Sequence, residues 1–436
     1  MTAASVPVTH RRVLAIALPI MVSSATIPML GAVDTAVVGQ LGQAVPIGAV
    51  GLGAVILASI YWVFGFLRMG TTGLVAQARG AGEAAETGAL LLRGLMIAAV
   101  AGLAFVALQA PFFWAAFRLA PASPEVEAMA RTYLGIRIWG APAAIASYAL
   151  AGWLIALERG RSVLALQIFT NGLNVVLDVW FVLGLGWGVA GVAGATLIAE
   201  WSGLVFGLWL CRGAFAAWGD WGRVFDPVRL RRMAQVNGDI LVRSVILQAS
   251  FAGFLFLGSG LGDVTLAANQ VLWQFVSITA YALDGFAFSA EALVGGAMGA
   301  HDRAGVRRAG VLASEWGVGM SLLLAAVFWF GGPRLIDLMA TAPDVRAAAR
   351  SFLPWAAVAP LVGIAAWMLD GIFIGATETR AMRNAMALSA LVYVAAVAIL
   401  MPRFGNHGLW ASVMILNATR GVTLALRYPA LEARAA

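Results

Sequence analysis

Apolar residues run through this chain in stretches too long for an ordinary globular core. Twelve runs are read, at about 13–39, 45–78, 90–117, 132–157, 163–185, 189–211, 234–261, 265–299, 309–332, 351–376, 385–401 and 406–426. Roughly 20 apolar residues carry a helix across a hydrocarbon layer of about 30 Å, and most of the runs reach or exceed that length. The pattern predicts an all-α integral membrane protein with twelve transmembrane helices. The longest runs predict tilt, bends or extensions beyond the bilayer.

Composition supports this reading. Apolar residues make up 61% of 436, charged residues 11%, and the mean hydropathy is +0.89. Soluble domains carry about 25% charged residues. The 50 glycines suit close helix packing in lipid, where small residues let backbones approach. His10-Arg11-Arg12 before the first apolar run resembles a signal peptide, but Pro19, Pro28 and the length of the run predict an uncleaved first helix.

All 28 basic residues are Arg. Nineteen fall at the N-terminus, at the loops near 79–93, 158–162, 212–232, 301–308 and 378–383, and in the C-terminal tail; seven fall on the opposite side, including Arg137. Arg420 is counted with the tail, and only Arg68 and Arg243 are read as lying deep within helices. The positive-inside rule then predicts an inner-membrane, multi-pass protein with both termini cytoplasmic. Topology thus accounts for the net charge of +7, and no basic soluble domain is left to bind nucleic acid. The single Cys211 has no intrachain partner for a disulfide.

The chain also repeats itself. Gly73-Leu74-Val75-Ala76-Gln77-Ala78-Arg79-Gly80-Ala81 matches Ala292-Leu293-Val294-Gly295-Gly296-Ala297-Met298-Gly299-Ala300 at an offset of 219. That offset also pairs Gly152-Trp153-Leu154-Ile155-Ala156 with Gly371-Ile372-Phe373-Ile374-Gly375, and Arg161 with Arg380. Six spans per copy return the chain to its starting side, so the copies share one orientation. Such parallel repeats belong to transporters that rock two bundles about a central site. The expected organisation is a six-helix lobe over 1–211, a cytoplasmic connection over 212–232 and a second lobe over 233–436.

Two segments carry a resemblance to a known family. They are Ala282-Leu283-Asp284-Gly285-Phe286-Ala287-Phe288-Ser289-Ala290-Glu291-Ala292-Leu293-Val294-Gly295 and Leu369-Asp370-Gly371-Ile372-Phe373-Ile374-Gly375-Ala376-Thr377-Glu378-Thr379-Arg380. Together with Val33-Asp34-Thr35-Ala36-Val37-Val38-Gly39-Gln40-Leu41-Gly42, they resemble the MATE (multidrug and toxic compound extrusion) family, in its DNA-damage-inducible protein F branch. The resemblance spans the chain. It implies a V of two six-helix bundles and a cation-coupled exporter of small amphipathic, often cationic compounds. It implies proton coupling by the habit of the branch, with sodium as the other coupling ion, no further cofactor, and a monomer as the working unit.

Asp34 stands in the first apolar run, where an unpaired carboxylate costs several kcal/mol. The repeat acts as an internal control: at the same offset Asp34 aligns with Gly253, Asp178 with Val397, Asn174 with Tyr393 and Asn171 with Ala390. The N-terminal half therefore holds a polar set that the other half lacks. Asn171, Asn174 and Asp178 share one helix face by spacing. Asn amides hydrogen-bond either form of a carboxyl. The family's N-lobe cation site maps by resemblance onto Asp34, Asn174, Asp178 and Thr196. For Thr196 the competing reading is a hydroxyl bonded to its own helix, and for Asn171 a packing amide.

Pro28 precedes Asp34 by about 9 Å of helix rise and invites a bend. It is the candidate hinge through which protonation of Asp34 would reshape the N-lobe cavity. In the C-terminal half Asp284, Glu291 and Asp370 are candidates for lining a cleft, binding a cationic substrate or pairing with Arg. Met29, Met69, Phe286 and Phe288 are candidate substrate contacts through adaptable apolar and cation–π surface. A lipid-linked precursor flippase is the main alternative, and it would want a basic central cavity. A channel is a further option. A membrane-embedded enzyme would need a catalytic set, and the sequence holds no His-Glu-x-x-His motif.

Overall fold

The computed structural model describes residues 7–40, 42–217 and 220–435, apart from the side chains of 27–30, 32, 216 and 217. No strand is present among the described residues. The first long helix is α1 (His10–Gly39). Among the described residues, eleven helices after it are long and apolar enough to cross a membrane: α2 (Ala44–Gly80), α3 (Ala84–Ala107), α4 (Pro124–Ala156), α5 (Gly160–Gly184), α6 (Gly188–Leu210), α7 (Pro227–Ser259), α8 (Asp263–Gly299), α9 (Arg303–Met339), α10 (Pro343–Gly375), α11 (Thr379–Phe404) and α12 (Asn406–Ala433).

The helices overrun the apolar stretches mainly at charged ends. α9 starts at Arg303 rather than 309 because the Asp302 carboxylate accepts the Gly305 amide at 2.8 Å and caps a polar first turn. α10 begins on Pro343, whose fixed φ suits a first helical position. α3 is shorter than expected: it stops at Ala107, and a separate helix, Gln109–Leu119, follows. α2 is interrupted at Phe64, whose amide bonds the Tyr61 carbonyl at 3.0 Å in a tightened turn.

The chain divides into two compact units. The N-terminal unit comprises 22–75 and 83–231, and the C-terminal unit comprises 1–21, 76–82 and 232–436. The simple halves 1–211 and 233–436 differ from this because two early segments pack on α8. A Cβ at Gly285 of α8 would meet the Ala17 carbonyl of α1, and one at Gly295 would meet the Ala76 side chain. Gln77 is tied down as well: its amide nitrogen donates to the Gly375 carbonyl at 3.0 Å and to Thr377 Oγ1 at 3.1 Å, and its amide oxygen accepts from Arg232 at 2.6 Å.

Glycine also keys α8 to α10. A Cβ on Gly371 would stand 2.5 Å from the Ala287 carbonyl oxygen, and one on Gly375 would stand 2.5 Å from that of Glu291. The carbonyls of one helix thus sit in the notches of the other, four residues apart on each. Beside this seam the C-terminal unit holds an aromatic core. Phe275 meets Phe328 edge-on at 4.8 Å, and Phe254 meets Trp410 at 4.9 Å. Its polar members are satisfied: Asn269 and Asn406 exchange amide hydrogen bonds of 2.8 and 2.9 Å, and Trp410 Nε1 donates to Asn269 Oδ1 at 2.9 Å.

In the N-terminal unit, the connection over 212–232 is partly helical, with a short helix at Trp221–Val224 and α7 starting at Pro227. Arg93 of α3 holds it, donating to the Val224 carbonyl at 2.8 Å and to Glu86 at 2.7 Å.

Candidate functional site

The polar residues expected on one face of α5 do converge in the N-terminal unit. Asn174 and Asp178 are sealed from solvent, and Asp34 of α1 is half-buried. The Asp34 and Asp178 carboxyls lie within side-chain hydrogen-bonding reach of each other. Both ionised groups are acceptors only, so that contact closes when one of them carries a proton. Neither Asp178 oxygen has a donor among the described residues, and the same holds for Asp34 Oδ1 and Asn174 Oδ1. Four buried acceptor oxygens therefore gather without a donor.

The neighbouring amides have separate tasks. Asn174 Nδ2 donates to Thr196 Oγ1 at 3.1 Å, and Thr196 donates on to its own helix at the Val192 carbonyl, 3.0 Å away. Thr196 thus bonds its own helix, as its competing reading expects, and also ties Asn174 to α6. Asn171 behaves as a packing amide. It donates to Thr26 Oγ1 of α1 at 3.0 Å and accepts from Gln167 at 2.9 Å. Asp178 is also the last residue of regular α geometry in α5. Beyond it the turns widen, with the Leu185 amide reaching the Trp180 carbonyl and the Trp187 amide reaching the Phe181 carbonyl, each at 2.9 Å. Wider turns of this kind recur at functional sites in helices.

A second buried pair stands beside the carboxyls, and the sequence reading missed it. Arg137 donates to Glu200 Oε2 at 2.7 Å, and Arg137 acts electrostatically on both Asp34 and Asp178. Arg137 is counted in the sequence reading with the seven arginines of the opposite side; the structure places it within α4, 8% exposed. The partner of Glu200 is Arg137. Room for the pair comes from glycine: a Cβ at Gly140 would collide with the Glu200 carboxylate. Counting charges, three carboxyls face one guanidinium. Without protons or a bound cation this buried cluster would carry two uncompensated negative charges, a costly state in low dielectric.

The C-terminal candidates are placed differently. Asp370 is clamped between Arg243 and Arg420, and Arg420 also donates to Asn417 Oδ1 at 3.2 Å. Arg420 is therefore buried inside α12, not part of the tail charge. Arg93 is likewise buried. Glu291 is buried in α8, Asp284 and Phe288 are half-buried, and Phe286 packs in the core at 2% exposure, closed to a ligand. Met69 is half-buried in α2. The side chains of Pro28 and Met29 lie outside the described residues.

A family model described as MatE matches residues 19–180 and again 240–400, one match in each half. The chain belongs to the MATE family. It is a multi-pass membrane transporter by membership, not an enzyme. DNA damage-inducible protein F of Escherichia coli (strain K12) is 38% identical over 421 residues, covering 94% of this chain and 90% of that protein. A probable multidrug resistance protein NorM from Bradyrhizobium diazoefficiens is 27% identical, covering 97% and 93%. The fold matches that of the Vibrio cholerae MATE transporter VcmN in its bent form, with a TM-score of 0.87 at 20% identity over 98% of this chain and 97% of that one. A MOP superfamily transporter from Pyrococcus furiosus Vc1 shares the fold with a TM-score of 0.86 at 18% identity, over 98% and 96%.

Proposed function

We propose that this MATE protein is a secondary active antiporter that exports small amphipathic, mostly cationic compounds in exchange for protons, from the inner membrane and with both termini cytoplasmic. The observation that carries this reading is the facing pair Asp34–Asp178, acceptor to acceptor, in a buried cluster whose charges do not balance. Loading a proton closes the Asp34–Asp178 contact. Releasing it restores two like charges that repel at close range. That difference biases two states of the N-terminal unit, and Pro28 is the proposed hinge. The likeness to DNA damage-inducible protein F and to multidrug resistance proteins supports the substrate class. Cationic substrates are further supported because Arg137, matched by Glu200, stands beside the two further acids Asp34 and Asp178, which leaves that buried cluster acidic.

A second reading rests on the same oxygens. Asp34 Oδ1, Asn174 Oδ1 and the two Asp178 oxygens form a donor set that suits a hard cation, so sodium would be the alternative coupling substrate. The P. furiosus Vc1 relative, for which reverse polarity of the binding pocket is described, is a reminder that this fold alone does not set substrate charge.

The test is efflux of a fluorescent lipophilic cation from vesicles holding wild type or Asp34→Asn, with proton and sodium gradients imposed separately. The expected result is proton-driven efflux that falls to background in the variant. Sodium-driven efflux indifferent to Asp34 would overturn the proposal, and silence under both gradients would return the flippase reading.

A further inference from the structure

The C-terminal unit holds a cavity of about 980 Å³ at one end of its helices, where α7 and α11 begin and α12 finishes. Five arginines line it: Arg232, Arg380, Arg383, Arg427 and Arg434. Only two acids join them, Asp239 and Glu378, and both are engaged. Asp239 accepts from Arg383 at 2.6 Å and from Thr379 Oγ1 at 3.2 Å, and Glu378 pairs with Arg434. Arg232 spends its bond on Gln77. Arg380 and Arg427 remain exposed on the cavity and make no ion pair among the described residues. The lining thus carries three more positive than negative charges.

Apolar side chains share the lining with these charges. Val236, Leu388 and Leu426 line the same cavity, and Leu388 and Leu426 are exposed. Leu388 lies about 13 Å beyond Thr379 at 1.5 Å per helical residue. The cavity is therefore charged at its rim, with exposed leucines beside the arginines: Leu426 next to Arg427, and Leu388 further along α11. A soluble anion would use only the rim. A molecule with a phosphate at one end and an alkyl chain at the other would use both. Guanidinium groups suit phosphate through forked hydrogen bonds, and basic pockets between helices at a membrane surface hold acidic lipid headgroups. The cavity belongs to the C-terminal unit, and the Asp34–Asp178 cluster to the N-terminal unit.

We propose that this cavity is a binding site for an anionic phospholipid, with the phosphate headgroup between Arg380 and Arg427 and an acyl chain along Leu388 and Leu426. The two arginines are free to answer a headgroup because no carboxylate holds them.

The experiment uses the full chain purified in mild detergent and native mass spectrometry with added dioleoyl phosphatidylglycerol, dioleoyl phosphatidylethanolamine or inorganic phosphate. Phosphatidylglycerol is expected to be retained in preference to phosphatidylethanolamine. Arg380→Gln/Arg427→Gln is expected to weaken that retention about 25-fold, which is roughly 2 kcal/mol for two headgroup-adjacent arginines converted at 1.4 kcal/mol per tenfold. Arg380→Lys/Arg427→Lys keeps the charge and is expected to keep most of the preference. Arg403→Gln, at the far end of α11, is expected to change nothing. If the Gln pair fails to fold, the intact chain still decides through its choice between the two lipids. Equal retention of both lipids, or a Gln pair that binds like wild type, would overturn the proposal. Retention of inorganic phosphate without preference for the acidic lipid would replace the lipid by a soluble anion.

Discussion

Asp370 tests whether a buried acid in this fold is a coupling group or a structural counterion. Its carboxylate is the shared partner of Arg243 and Arg420, and the three side chains are 10%, 8% and 4% exposed. Asp370→Asn removes the negative charge while keeping the shape, and it leaves two guanidinium groups facing each other away from water. Breaking a buried pair by removing one partner costs about 3–5 kcal/mol. Arg420 retains Asn417 as an acceptor, so the lower end of that range is the expected cost. For a unit of this size, about 3 kcal/mol corresponds to a fall of roughly 6–12 °C in melting temperature. Thermal unfolding in detergent, followed by tryptophan fluorescence or loss of the monodisperse peak, reads that shift. Asp370→Asn/Arg243→Gln/Arg420→Gln removes the stranded charges together and should recover most of the loss, a non-additivity that only a coupled network produces. An Asp370→Asn protein that melts within about 1 °C of wild type and yet has lost transport would refute the structural assignment and make Asp370 a functional acid.

The Asn269–Asn406–Trp410 cluster predicts a graded pair of outcomes. Trp410→Phe removes one donor while Asn406 still donates to Asn269, so it should cost about 1 kcal/mol of hydrogen bonding plus its packing loss, whereas Asn269→Leu strands both the Asn406 amide and the Trp410 N–H and should cost about 2–3 kcal/mol in the same unfolding assay. At the start of α7, outside the membrane span, the backbone amide of Arg229 and then that of Val228 hold the Asp226 carboxyl below its usual range. A lowered folded-state value adds stability above the unfolded value of about 3.9, and that stability disappears as pH falls through the folded value. Asp226→Asn should therefore melt earlier than wild type at pH 7, with the difference shrinking in a series taken down to pH 2; an unchanging difference would show that charge is not involved.

Much of the architecture was legible because membrane helices announce themselves by length and apolarity, and the repeat fixed which spans correspond. The α5 face was legible for a similar local reason: Asn174 and Asp178 are four residues apart on one helix, and spacing alone aligns them. The Arg137–Glu200 pair was not, since 63 residues separate its members and only tertiary packing brings them together. A signal did exist, because Glu200 is a lone acid in an apolar run like Asp34, and Arg137 lies within the predicted fourth run rather than beyond it. Arg420 was misplaced for the same cause. Sorting arginines by nearness to a span's end treats them as solvated, and it overlooks a carboxylate waiting on another helix, as Asp370 does.

The glycine seam between α8 and α10 has a mechanical consequence. Each carbonyl of Ala287 and Glu291 lodges where a side chain on Gly371 or Gly375 would otherwise stand. Such a joint works like a toothed key in its slot: it tolerates no axial slip, because a shift of one residue would drive a carbonyl into the next side chain. Whatever cycle this transporter runs, these two helices travel through it as one splined shaft. Spin labels placed on their solvent-facing ends should report a constant separation while distances elsewhere change.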